Sequence, residues 1–583
     1  MNLAAISHSA NSNYCYPINN SEILLKIKCP KDSTLVKVYY GDPYDYVNGK
    51  WNYSIKEMTT RRELEYHSLY EVTLRLKYKR CRYFFEISNE DETVYLFESE
   101  ISNKLDLNNA YHQYFMMPWL NPSDVTRVPS WVNDTVWYQI FPDRFCKVDQ
   151  VGNYLEWSNG EKCQRNSNNF YGGNLKGIIS KIPYLKDLGI NGIYLTPIFK
   201  ASSYHKYDTI DYYEIDPEFG SKEDFRRLIE ECHLNNIKVM IDGVFNHTGK
   251  KHPFWLDVVK KQNKSKYRDW YIIERFPLEE EVRESKHGNY YTFAFTNNMP
   301  KLNTNNDQVI DYIIDVCKYW VKEFDVDGIR LDVANEISHK LNKKLRIELE
   351  KEKKDLYILG EIWHESSRWL SNDEYHAVMN YPVQVAINKF FNSKNFTSKN
   401  FEASINELYS TYQVENLKVM FNLLDSHDTA RLINTSKSLD DFYLKLALLF
   451  SLGGSSCIYY GSEIVLEGED SDDARRCMPW EKISSGLYDD KINEMKKLIK
   501  LHHQHPALKS VALKFTNFND QVICFEKRAN DEVIEVIINK SDSNLNLEAS
   551  NIIYQRNYEN NYLKTNGIIM KIKEVKKDDE KNW

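Results

Sequence analysis

No stretch of the 583-residue chain stays apolar for the roughly 18 residues that a membrane span requires; the most apolar short segment is Leu446 to Leu452. Paired cysteines are lacking too. Ten are scattered, none in a Cys-x-x-Cys pair, and a chain this long needs no disulfide framework, so free thiols in a reducing compartment are expected. The first cations after Met1 are Lys26 and Lys28, so the start lacks the charged and apolar parts of a secretion signal, and a cytoplasmic location is expected. An excess of positive charge is missing as well: 76 Lys and Arg against 84 Asp and Glu leave a net charge of -8, which argues against a nucleic-acid groove or an anionic membrane surface. With 42% hydrophobic and 27% charged residues the chain reads as globular, with a sizeable core. Aromatics are plentiful: core and interface filling accounts for most of the 41 Tyr, 26 Phe and 12 Trp, and this side-chain class also stacks on sugar rings.

The length suits several domains. Residues 1–125 read as strands, Ile23–Cys29, Leu35–Tyr40, Leu69–Leu76, Arg82–Ile87 and Val94–Phe97, separated by turns such as Gly41-Asp-Pro43; an N-terminal β-sandwich is predicted. Over 126–506 short apolar runs alternate with amphipathic helices, the pattern of a parallel sheet with crossover helices. One helix shows why: Ser221 and Asp224 form a capping box, followed by one apolar face of Phe225, Leu228, Ile229 and Cys232. Residues 507–583 return to strands, predicting a C-terminal β-sandwich that ends in a charged tail from Lys571.

Four strand candidates end in an acid: Ile237–Ile241 in Asp242, Asp327–Leu331 in Asp332, Leu356–Gly360 in Glu361, and Val419–Leu424 in Asp425-Ser-His-Asp428. In a (β/α)8 TIM barrel the C-terminal strand ends converge on one mouth, and each β/α unit takes roughly 30 residues. Asp332 and Glu361 are about one unit apart, and Glu361 and Asp428 about two, with Ala377–Tyr381 as the strand between. Asp242 and Asp332 are separated by one unit plus about 60 residues. The acids therefore follow strands 3, 4, 5 and 7, and 248–303 is an inserted domain after strand 3. Arg330 and Asp332, two apart on a strand, share a face, so the guanidinium is expected to keep that carboxylate ionised. An ionised carboxylate facing a protonatable one is the equipment for glycosidic cleavage, although spacing leaves open which carboxyl attacks and which protonates.

Asp242-Gly-Val-Phe-Asn-His247, Gly328-Ile-Arg-Leu-Asp-Val-Ala-Asn-Glu336, Gly360-Glu-Ile-Trp-His364 and Leu424-Asp-Ser-His-Asp428 resemble, in order, the four signature regions of the α-amylase superfamily, glycoside hydrolase family 13. Met299-Pro-Lys-Leu-Asn303 and Val-Ala-Asn-Glu336 resemble its neopullulanase, cyclomaltodextrinase and maltogenic amylase branch. Gly41-Asp-Pro-Tyr-Asp45 is similar to that branch's N-terminal starch-binding-type module. The resemblance implies Asp332 as nucleophile, Glu361 as acid/base and Asp428 as transition-state stabiliser. It implies His247, Arg330 and His427 holding the sugar at the cleavage point, Tyr207 stacking beneath it, and Asn335, Glu336, Trp363 and His364 lining the leaving-group side. Ile329, Tyr204 and Asp425 depart from the family pattern.

Some relatives bind calcium after the first barrel strand. Here Asp149, Asn153 and Asn174 are the candidates, with Asn174 where an Asp is usual, and no metal or other cofactor is expected to be required. The implied reaction is retaining hydrolysis of α-1,4-glucosidic bonds in cyclodextrins, pullulan and malto-oligosaccharides, by a homodimer joined through the N-terminal domain. A glucanotransferase is the alternative, and a non-catalytic carbohydrate-binding protein is disfavoured because Asp332, Glu361 and Asp428 are all present. Gly453-Gly-Ser-Ser-Cys457 reads as a strand approach, not a nucleophile elbow. His502-His-Gln-His505 reads as a helix end, and Gly172–Gly177 does not match a dinucleotide fingerprint.

Overall fold

The computed structural model describes the chain except residues 11, 108–112, 150–151, 165–168, 280–283, 372 and 575–583, so most of the charged tail lies outside the described residues. At its centre is a parallel barrel with strands β1 (Val136–Ile140), β2 (Gly192–Leu195), β3 (Lys238–Gly243), β4 (Gly328–Leu331), β5 (Tyr357–Gly360), β6 (Ala377–Val378), β7 (Phe421–Leu423) and β8 (Ser455–Tyr459). Neighbours pair in the order β6-β5-β4-β3-β2-β1-β8-β7. The ring closes between β6 and β7 through the parallel bridge Met379–Phe421, with Asn380 N–H donating to Phe421 O at 2.8 Å. Every residue of β1, β2, β4 and β5 is buried, as expected of parallel strands covered on both faces.

The helix Lys222–Leu234 carries the capping box of Ser221 and Asp224 and buries Phe225, Leu228, Ile229 and Cys232. Each such side chain stabilises the packing by about 2 kcal/mol, and Ser221→Ala would cost about 1 kcal/mol by freeing a helix N–H. Two barrel strands are shorter than the sequence suggests. Ala377–Tyr381 yields only Ala377–Val378 because Pro382 starts a helix at Tyr381. Val419 and Met420 belong to the turn closing the helix Val414–Lys418 rather than to β7.

Between β3 and the helix Asp307–Phe324 lies a segment whose described residues form one helix, Pro253–Lys261, several single 3-10 turns and isolated bridges, including His247–Lys301. The N-terminal part is a sandwich of two antiparallel sheets. One contains Glu22–Cys29 and Ser68–Arg75, the other Leu35–Gly41 and Cys81–Ser88. Beyond the barrel, Leu513–Lys573 forms a single antiparallel sheet. One face joins the barrel core through Ile523, Phe525 and Val536, while Val522, Cys524, Ile537 and Leu563 form a small second core.

The helix Ser398–Thr411 ties the three parts together. Buried Lys26 donates to Tyr409 O and, at 2.8 Å, to Tyr412 O just past its end; Arg62 stacks 4.1 Å from the Tyr409 ring and donates to Leu513 O at 2.8 Å.

Candidate active site

Backbone ladders continue past the strand ends, with Asp332 N–H to Gly243 O at 3.1 Å, Glu361 N–H to Leu331 O at 3.0 Å and Ala334 N–H to Glu361 O at 3.1 Å. They bring the acids after β3, β4 and β5 around one fully buried guanidinium. Arg330 Nη1 donates to Asp242 Oδ1 and Oδ2 at 2.8 and 2.9 Å and to Asp332 Oδ1 at 2.8 Å, while Nη2 lies 2.8 Å from Glu361 Oε2. Asp242 also accepts from the Tyr194 and Tyr207 hydroxyls at 2.6 and 3.1 Å. Burial pushes its proton affinity up, but Arg330 and the two tyrosines are the donor set of a carboxylate. Asp242 is thus the anion that holds Arg330 in place.

Glu361 accepts the Val333 N–H at Oε2 (2.9 Å) and the Trp363 indole N–H at Oε1 (3.1 Å). Val333, the donor, is in left-handed backbone, φ 47° and ψ 43°, a conformation that costs a β-branched residue about 1–3 kcal/mol. Trp363 lies flat on Tyr381 with ring centroids 3.6 Å apart, which fixes the indole's direction.

Opposite stands the group after β7. His427 Nδ1 is 2.7 Å from Gln139 Nε2, and His427 Nε2 is 2.5 Å from the Tyr207 hydroxyl and 3.1 Å from Asp428 Oδ2. Burial, helped by Arg475 and Arg330, pushes the His427 imidazole well below its ordinary value, so it is neutral. Arg475, from the loop after β8, reaches within 3.4 Å of Asp428 Oδ1 and donates to His427 O at 3.0 Å. The reading of the sequence missed Arg475; the only sign was a cationic pair, Arg475-Arg476, in an otherwise acidic loop.

Two guanidiniums thus face four carboxyls. Burial, opposed by Arg330 and reinforced by Glu361, Asp242 and Asp428, pushes the Asp332 carboxyl well above the usual range. The expected effect of Arg330 is present, but it is not the largest influence, so the carboxyl cluster is one that shares protons.

Above the carboxyls opens a cavity of about 470 Å3 lined by Tyr207, His247, Asp332, Asn335, Glu336, Glu361, Trp363 and Asp428, with His205, Phe293, Met299, Val333 and Arg475 not foreseen. Arg330 and His427 lie beneath this lining. His247 is held by Tyr207 O at 3.1 Å from Nε2 and by a stacked Phe293, and burial lowers its pKa to about 3. Lys301 of the inserted segment donates to Asn246 Oδ1 and pairs with Glu336 Oε2 at 3.1 Å, joining that segment to the loop after β4. His364 is not part of the lining; it is exposed, and its Nδ1 contacts Glu365 O at 2.9 Å.

Of the residues singled out for calcium, Asn174 is engaged in another role. Asn174 caps the helix Leu175–Ser180, with Oδ1 accepting from Gly177 N–H at 2.7 Å and Nδ2 donating to Val148 O at 2.6 Å, so its amide is already used. Among the described residues no cluster of three Asp, Glu, His or Cys surrounds a metal-sized space.

Paired carboxyls at the C-terminal mouth of a (β/α)8 barrel, beneath an open cavity with aromatic walls, are the arrangement of a glycoside hydrolase. Residues 139–505 match the family described as alpha amylase, catalytic domain, and residues 1–121 the one described as alpha amylase, N-terminal ig-like domain. The chain is 40% identical over 550 residues to the maltogenic alpha-amylase of Bacillus acidopullulyticus, covering 93% of this chain and 92% of that one. It is 39% identical over 553 residues, with the same coverage, to the intracellular maltogenic amylase of Bacillus subtilis. A solved cyclomaltodextrinase matches with a TM-score of 0.88 and 33% identity over 98% of each chain. The chain belongs to the α-amylase family of glycoside hydrolases. No helix among the described residues is long and apolar enough to cross a membrane.

Proposed function

We propose that the protein hydrolyses α-1,4-glucosidic bonds of cyclodextrins, pullulan and malto-oligosaccharides with retention of anomeric configuration. The observation that carries this reading is the Arg330 guanidinium, whose Nη1 donates to Asp332 as well as Asp242 and whose Nη2 lies 2.8 Å from Glu361 Oε2. Both carboxyls thus lie against one guanidinium, and the retaining mechanism requires them to be roughly 5–5.5 Å apart. Asp332 attacks the anomeric carbon while Glu361 protonates the leaving oxygen; Glu361 then takes a proton from the water that releases the sugar from Asp332. Asp428, backed by Arg475 and His427, grips sugar hydroxyls and stabilises positive charge at the anomeric centre. Tyr207 supports the sugar from below, His247 closes its side, and Asn335, Glu336 and Trp363 receive the leaving chain. These steps require no metal or other cofactor.

The protein works as a homodimer. On the N-terminal sandwich, Tyr44 is 76% exposed, and Tyr46, Val47, Ile55 and Trp119 are exposed as well. Arg80 lies 4.9 Å from the Tyr44 ring and 5.8 Å from Trp119, so these groups form one patch of aromatics and arginine, the composition of an interface core. A second copy covering it walls the cleft and favours small or cyclic glucans. The relative named intracellular supports a cytoplasmic location, where imported oligosaccharides are met. Chromatography of products from cyclodextrin, pullulan, maltotriose and starch tests the substrate reading, with maltose and, from pullulan, panose expected. Products longer than maltotriose dominating at high sugar concentration would instead make the protein chiefly a transferase.

A further inference from the structure

Two of the ten cysteines meet at the seam between the loops after β1 and β8. Cys163 and Cys477 pack together with Tyr171 in a small cluster apart from the main core. Ser158 serves both: its Oγ is 3.5 Å from Cys163 Sγ and accepts the Cys477 N–H at 3.1 Å. Arg144 brackets Cys477, with Nε donating to Arg475 O at 3.1 Å and its carbonyl accepting Met478 N–H at 3.0 Å, while its guanidinium lies 4.2 Å from the Tyr171 ring. Both are buried, Cys477 completely and Cys163 with 9% of its surface left exposed. Two residues before Cys477 stands Arg475, the group that holds Asp428 and the His427 carbonyl.

We propose that Cys163 and Cys477 are a redox-active dithiol that low-molecular-weight disulfides convert to an internal disulfide, stitching the β1 and β8 loops together and acting on the active site through Arg475. The active-site half rests on the function proposed above; the thiol chemistry does not. Cys163 is the attacking group. Hydrogen bonding from Cys477, the charge of Arg144 and the Ser158 and Tyr171 hydroxyls bring its thiol down to about 6 against the cost of burial, while burial pushes Cys477 well above the usual range. The Cys163 thiolate attacks one sulfur of the small disulfide, forming a mixed disulfide and expelling one thiolate. Cys477, losing its proton to solvent, then attacks Cys163 Sγ and expels the second thiolate. The protein loses two electrons and two protons, and the reagent takes up the two electrons.

The test uses the full chain under native conditions with oxidised glutathione, followed by quenching and peptide mapping without reduction. The expected result is a Cys163–Cys477 link with the other eight thiols intact, and a fall of about threefold or more in kcat/KM on cyclodextrin that dithiothreitol reverses. Cys477→Ser should keep one glutathione on Cys163, because nothing resolves it, and Cys163→Ser should gain neither adduct nor change in activity. Ten intact thiols after incubation, a different first pair, or no adduct on Cys477→Ser would overturn the dithiol. A complete link with unchanged kcat/KM would overturn its action on the active site while leaving the hydrolase assignment standing.

Discussion

Asp332, Glu361 and Arg475 separate the kinds of work done in the cavity. Replacing Asp332 by Asn should remove nearly all activity, since an amide neither attacks nor carries charge. Glu361→Gln should be comparably severe on natural glucans but milder on aryl glycosides whose leaving groups need little protonation; equal losses on both would contradict the role of Glu361. Arg475→Met addresses electrostatics. Burial raises the Asp428 carboxyl and Arg475 is the first group opposing it. Without that charge Asp428 keeps its proton to higher pH, so the acid limb of the kcat/KM profile should move up by about one pH unit. Losing a charged hydrogen bond should also cost about tenfold in kcat. An unmoved acid limb would remove Arg475 from the machinery. These residues differ in how readable they were. Asp332 and Glu361 follow apolar strands a repeat apart, and Arg330 shares a strand face with Asp332. Arg475, Tyr194 and Gln139 carry no such spacing, because they reach the site only when β1 pairs with β2 and β8 and an irregular loop folds back.

The helix Ser398–Thr411 is the element where a pH effect on stability is most exposed. Its Glu402 accepts from Asn517 Nδ2 at 2.9 Å, and its pKa is pushed up to about 7, first by burial and then by Glu63 across the domain junction. The folded protein therefore binds this proton more tightly than the unfolded chain. The associated stability is fully present below about pH 4.5 and is lost as pH rises through about 7. Glu402→Gln, which mimics the protonated form, should unfold at a higher temperature than the parent at pH 8, by about 1–2 kcal/mol after allowing for partial exposure, with little difference at pH 5. Thermal melts at the two pH values check this, and an equal difference at both would refute it. The element scale also shows why strand boundaries were misread: Met420 and Tyr381 are apolar and buried like strand residues, yet a helix end and Pro382 turn the chain there. In the C-terminal part, where strands were expected, Val522–Ala529 and Glu532–Asn539 pair along eight positions.

For the whole molecule, Lys26 and Arg62 hold the N-terminal sandwich to its own barrel, while Tyr44 and Trp119 are exposed on it and are the surface the proposed second copy would cover. The chain should run as a dimer in light scattering at micromolar concentration and cleave cyclodextrins faster than starch. Deleting residues 1–125 should give a monomer with preference shifted towards larger glucans. That truncated protein should melt lower, because Tyr409 O and Tyr412 O lose their buried donor, at about 1–3 kcal/mol. A monomeric full-length protein that prefers starch would contradict the dimer. The reaction itself is tested most directly by proton NMR of the anomeric signals during the first turnovers on a maltodextrin, before mutarotation mixes them. Attack by Asp332 followed by water predicts that the newly formed reducing ends appear first as the α-anomer; β-anomer appearing first would mean direct displacement by water and would contradict the account.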